Sequence, residues 1–124
     1  MEWKRSSPEV LAAFDSLVPG SEGVERRKMF GYPCAFLNGN MFMGVFQEQI
    51  FIRLSAEDRD AFLDLDGARG FEPVEGRIMR EYVIVPDWMM ERGDELRGWI
   101  ERSEDYVSSL PSKRGRGVKT GKKG

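Results

Sequence analysis

The chain has 124 residues, 40% of them hydrophobic and 11% aromatic: one domain's length with enough apolar content to bury a core, which excludes a wholly disordered protein. It has no histidine and one cysteine, Cys34, so Ser-His-Asp and Cys-His catalysis, histidine- or cysteine-cluster metal sites and an intrachain disulfide are excluded. The net charge of -2 conceals a split, since residues 1–110 hold 13 Lys and Arg against all 21 Asp and Glu, a balance of -8, and residues 111–124 hold six cations and no acid.

The first element opens at Ser7-Pro8-Glu9. Serine caps the orphan amides, proline suits the first helical position, and an acid favours the positive end of the helix dipole. Val10, Leu11, Phe14, Leu17 and Val18 then make one apolar stripe, and Pro19-Gly20 stops it, which predicts a helix over 8–18. Val24 to Phe30 reads as a strand, broken by Gly31-Tyr32-Pro33. Cys34–Leu37 and Met41–Phe46 flank Asn38-Gly39, the strongest short hairpin signal, because both residues tolerate the positive φ of a type I′ turn. Gln47-Glu48 makes a second tight turn into Gln49–Leu54.

Ser55 caps a second helix, with Glu57 and Asp58 in its first turn, running to about Leu65. A loop carrying Gly70, Pro73 and Gly76 leads to a strand over Arg77–Val85, rich in Ile, Val and Tyr and ended by Pro86. Asp87–Met90 predicts a short helical turn, and Asp94 to Leu110 a last helix with Leu96, Trp99, Ile100, Val107 and Leu110 on one stripe. The order is α-β-β-β-β-α-β-α. Tight turns demand antiparallel pairing, so the fold class is α+β, an antiparallel sheet of four or five strands with helices packed on one face. Residues 1–110 are expected to form a single domain and 111–124 a flexible basic tail.

Nothing in the chain carries the pattern of a catalytic or cofactor-binding motif. Gly39–Gly44 lies in a hairpin and Gly67–Gly70 precedes no Gly-Lys-Ser/Thr, so both read as turn glycines rather than phosphate loops. The acids from Asp58 to Asp66 follow the polar face of a helix and lack the order of a calcium loop. Cys34, in an apolar strand with no histidine to activate it, reads as a buried structural thiol. No metal, no cofactor and no enzymatic activity are expected. Two features remain. Arginine predominates in the body, and Arg27, Lys28, Arg53, Arg77 and Arg80 lie on or beside strands, where they could contact a carboxylate-bearing partner or pair internally. Lys113, Arg114, Arg116, Lys119, Lys122 and Lys123 are candidate nucleic-acid contacts.

Three stretches in order carry a family resemblance: Arg27-Lys28-Met29-Phe30-Gly31, then Asn38-Gly39-Asn40-Met41-Phe42, then Ile50-Phe51-Ile52-Arg53-Leu54. With Phe71-Glu72-Pro73, Gly76 to Val83 and Trp99-Ile100 they resemble the N-terminal domain of the TfoX/Sxy family over roughly residues 8–110. The resemblance implies an α+β fold similar to secretion chaperones. It also implies a link to bacterial regulators of natural competence, which are thought to act with a transcription activator. Full-length regulators carry a second, helical domain, whereas only the basic segment follows Leu110 here, so the resemblance implies a stand-alone domain and brings no catalytic residues.

The expected function is that of a small cytoplasmic regulatory or protein-binding module with a protein partner or self-association. Nucleic-acid binding through the basic tail is the alternative. No run approaches the ~18 apolar residues of a membrane span, and Met1 to Arg5 lacks the apolar stretch of a signal peptide.

Overall fold

The computed structural model describes residues 5–112. Its first helix, α1 (Pro8–Leu17), starts where the sequence sets the cap: the Ser7 hydroxyl oxygen accepts from the Val10 amide at 3.3 Å, and Pro8 opens the first turn. Four strands follow, β1 (Val24–Met29), β2 (Tyr32–Leu37), β3 (Asn40–Phe46) and β4 (Gln49–Arg53). Helix α2 (Ala56–Leu63) is capped by Ser55, whose hydroxyl oxygen accepts from the Asp58 amide. Then come β5 (Arg69–Val74), β6 (Arg77–Ile84), a 3-10 turn (Asp87–Glu91) and α3 (Gly93–Ser108).

The sheet is antiparallel throughout, in the order β1-β2-β3-β4-β6-β5. It has six strands, not four or five. The strand that the sequence hides is β5, because Gly70 and Pro73 lie inside it and read as loop residues. It survives as an edge strand, where a proline's missing N–H costs no ladder bond, and its register with β6 slips between Gly70 and Phe71 and again between Phe71 and Val74.

Asn38-Gly39 forms the expected turn with φ of 54° and 83°, and Phe30-Gly31 repeats that geometry with φ of 58° and 83°. Both residues of each pair lie in the left-handed region that the type I′ turn requires.

The three α-helices of the described residues cover one face, as the apolar stripes of the first and last predict, although Leu11 of the first stripe is exposed. Phe14 and Leu17 of α1, Phe62 of α2, and Leu96, Ile100 and Val107 of α3 pack on Phe42, Met43, Ile50, Ile52 and Val83 of the sheet. Buried Ser103 donates to the Phe42 carbonyl at 3.0 Å, which satisfies the one hydroxyl that α3 buries. Asn40 donates to the Pro111 carbonyl at 3.0 Å and Ser112 to that of Asn38 at 3.3 Å, so the described chain ends pinned to the β2–β3 turn.

The other face holds a second cluster, of Cys34, Met41, Phe51, Phe71 and Ile84, with no helix of the described residues over it. The β5–β6 hairpin does the covering. Phe71 stacks on Phe51 of β4 with ring centroids 4.4 Å apart and meets Phe46 of β3 edge-on at 5.4 Å, and the Tyr82 hydroxyl donates to the Met41 carbonyl. The sheet therefore curls until its two edges face one another.

Gly44 makes that curl close-packed. It pairs with Cys34 on one side and Phe51 on the other, and a methyl group there would come within 2.5 Å of the Phe51 ring and 3.0 Å of the Cys34 Cβ. Gly44→Ala should cost about 2 kcal/mol in urea unfolding, as overpacking against a stacked ring does. Gly98→Ala in α3, where nothing lies within 4 Å, should instead stabilise by about 0.5 kcal/mol or more.

Candidate functional site

Where the curled sheet brings its edges together, the Met29-Phe30 turn faces the tip of the β5–β6 hairpin across a cleft of about 390 Å³. Phe30, Pro73, Val74, Arg77 and Ile78 line it. Phe30 is 52% exposed and Ile78 63%. A bulky residue with positive φ costs on the order of 1 kcal/mol, and this turn presents its ring outward instead of seating it in the core.

The cleft is the middle of three. Phe30 also lines a neighbouring one with Leu11 and Arg5, and Ile78 lines another with Leu63, Arg59 and Arg80. Leu11, Phe30, Leu63, Val74 and Ile78 are all the large apolar side chains that the described residues leave exposed. Every one of them lines a cleft in this chain of three, joined through Phe30 and Ile78. Scattered exposed aliphatic side chains need no explanation, but convergence on one surface does.

The charges there are as one-sided as the apolar groups. Among the described lining residues of the three clefts stand Arg5, Arg59, Arg77 and Arg80 and no carboxylate, although the domain is acidic. Elsewhere five arginines find partners, Arg26 with Asp15, Arg27 with Glu25, Arg53 with Glu81, Arg92 with Glu95 and Arg102 with Asp58, while Arg69 and Arg97 make no ion pair among the described residues. Arg5, Arg77 and Arg80 make no ion pair among the described residues. Glu72, on the same hairpin, turns its carboxylate onto the Gly76 amide at 2.6 Å.

The five cations singled out in the sequence thus separate. Arg77 and Arg80 line the clefts. Arg27 and Lys28 are exposed on the edge strand β1, leading into the Phe30 turn, with the Arg27 guanidinium 4.9 Å from the Phe36 ring centroid. Arg53 is drawn inward: it donates to Glu81 at 2.7 Å and lies 5.5 Å and 5.9 Å from the ring centroids of Tyr82 and Tyr106. The six basic residues from Lys113 to Lys123 lie outside the described residues.

Burial pushes the Glu81 carboxyl upward, but the hydrogen bond and charge of Arg53, helped by Tyr106 and Arg59, outweigh it and hold the group below its ordinary value. A lowered folded value means that the pair stabilises the fold above the unfolded carboxyl's pKa and stops doing so as pH falls through the folded one. The urea midpoint of the wild type should therefore exceed that of Glu81→Gln at neutral pH, with the gap closing below roughly pH 4. A gap that persists unchanged in acid would contradict this role.

Cys34 is buried, with its thiol donating to the Arg27 carbonyl at 3.5 Å. Burial, partly offset by the Arg27 charge, pushes that thiol up to about 11, the state of an unreactive structural cysteine. Among the described residues, no group of three or more Cys, Asp or Glu gathers where a metal ion could be held. Among the described residues, no helix is long and apolar enough to cross a membrane.

Sequence reasoning found the arginines but not the apolar groups beside them. A phenylalanine immediately before a glycine in a hairpin was the available signal for Phe30. The alternation of β6 gave none for Ile78, because it assigns that residue to the same face as Tyr82 and Ile84.

The family model of the TfoX N-terminal domain matches residues 15–106, well over half of the chain. No curated protein and no solved structure matches it.

Proposed function

The chain belongs to the TfoX N-terminal domain family, and on that footing we propose that it is a small cytoplasmic protein-binding module serving a regulatory role, with the clefts around Phe30 and Ile78 as its contact surface. The observation that carries this reading is the convergence of every exposed large apolar side chain among the described residues on one arginine-lined surface. Apolar anchors near the middle of a patch with arginine around them are the composition of a protein contact. The clefts offer side chains suited to binding, with no carboxylate among the described lining residues for acid–base chemistry. The sequence resemblance implies a link to regulators of competence that are thought to act with a transcription activator, and a contact with a regulatory protein agrees with that implication.

Ile78→Asp tests this directly. The side chain is exposed, so stability in urea should move by no more than about 0.5 kcal/mol. Recovery of the module's complex from cells should fall at least tenfold, the loss expected when a central apolar anchor becomes a charge. Undiminished recovery with Ile78→Asp would overturn the assignment of the surface.

A further inference from the structure

We propose that the partner docks an acidic segment carrying apolar anchors: aliphatic or aromatic side chains enter the clefts at Phe30 and Ile78, and flanking carboxylates meet Arg77, Arg80, Arg59 and Arg5. This rests on the reading of the surface as a protein contact and adds the chemistry of what lands there.

Charge complementarity selects this occupant. The domain carries a balance of -8 over residues 1–110, yet the described lining residues of the three clefts are free of acids. Arg77 and Arg80 make no ion pair among the described residues, which they share with Arg69 and Arg97, but they alone of these four stand beside the exposed apolar groups of the clefts. Guanidinium groups are suited to gripping carboxylates in fork geometry, and a ligand that supplies them completes what the surface lacks.

The competing occupants fit less well. A two-fold pairing of this face with the same face of a second copy would set arginines against arginines. The chain's own residues 111–124 carry six cations and no acid, the wrong sign for these clefts. Single-stranded nucleic acid binds on successive aromatic platforms, whereas Phe30 is the one aromatic among the exposed large apolar groups here, the other four being aliphatic.

The test uses the full chain, isotope-labelled, and three synthetic peptides that share identical leucine and phenylalanine anchors. Their remaining positions are glutamate, glutamine or lysine, and an oligothymidylate serves as a fourth probe. At low salt the glutamate peptide should give saturable shifts at the Phe30, Leu63 and Ile78 amides. It should bind at least tenfold tighter than the glutamine peptide, and the lysine peptide should give no shifts. Arg77→Gln combined with Arg80→Gln should remove most of that preference while leaving the spectrum of a folded domain, and added salt should do the same to the wild type.

Equal binding of the glutamate and glutamine peptides at these amides would overturn the acidic preference and leave the protein-contact reading standing. Shifts confined to other parts of the chain would overturn both. Displacement of the glutamate peptide from these amides by the oligothymidylate would show a general polyanion site and overturn the proposal.

Discussion

Phe51→Ala should lower stability by about 4 kcal/mol in urea unfolding, with little change in the slope. Phe51 is 1% exposed and anchors the face that no helix covers, stacked on Phe71 and edge-on to Tyr82 at 5.6 Å. Losing it leaves a cavity beneath the β5–β6 hairpin, and the hairpin is what carries Val74, Arg77 and Ile78 to the Phe30 turn. The damage should therefore be local as well as global. Amide exchange in β5 and β6 should accelerate beyond what the loss of global stability accounts for. Uniform acceleration across the domain would show that the hairpin is not held through this stack.

Phe62→Ala should cost about 3 kcal/mol or more, on the other side of the sheet. Phe62 is fully buried and is the one buried residue of α2, set edge-on to Trp99 at 5.0 Å. Apart from it, α2 is tied down by its cap and by the ion pair of Asp58 with Arg102 at 2.9 Å, which is exposed on the arginine side and contributes little. Removing the ring should free α2 from β6, the strand it packs on, and leave the β1–β2 hairpin no less protected than global stability allows. Near-neutral behaviour in urea would contradict the reading of α2 as a helix pinned by one side chain.

How much of this was legible in the sequence follows from the range of the interactions involved. The capped starts at Ser7 and Ser55 and the Asn38-Gly39 turn are local signals, decided within a few residues, and the structure has each of them. The helix faces were legible for the same reason, since Phe14, Leu17, Leu96, Ile100 and Val107 recur at helical spacing. Strand β5 was not, because its proline and glycine are tolerable only at an edge, and edge position is a property of the assembled sheet.

The proposed contact surface was half legible. Arg77 and Arg80 were visible as cations on a strand, but which arginines pair and which do not depends on where distant acids fall: Glu81 takes Arg53, and among the described residues no acid pairs with Arg77. Strand parity alone would group Ile78 with Tyr82 and Ile84. Pairing with β4 ends at Tyr82, and beyond it β6 follows the curl, so Met79 packs in the far-face cluster and Ile78 turns to solvent. The patch is created by curvature that brings residues 29–30 to residues 73–79, a separation that no local pattern encodes.

The most direct measurement places a photoreactive side chain at Ile78 in the full chain inside cells, with the same group at Glu101, exposed on α3, as the control. If the surface around Phe30 and Ile78 is where the module meets its partner, light should produce a discrete crosslinked protein from position 78 and none from position 101. No adduct from 78, or equal yields from both positions, would contradict it.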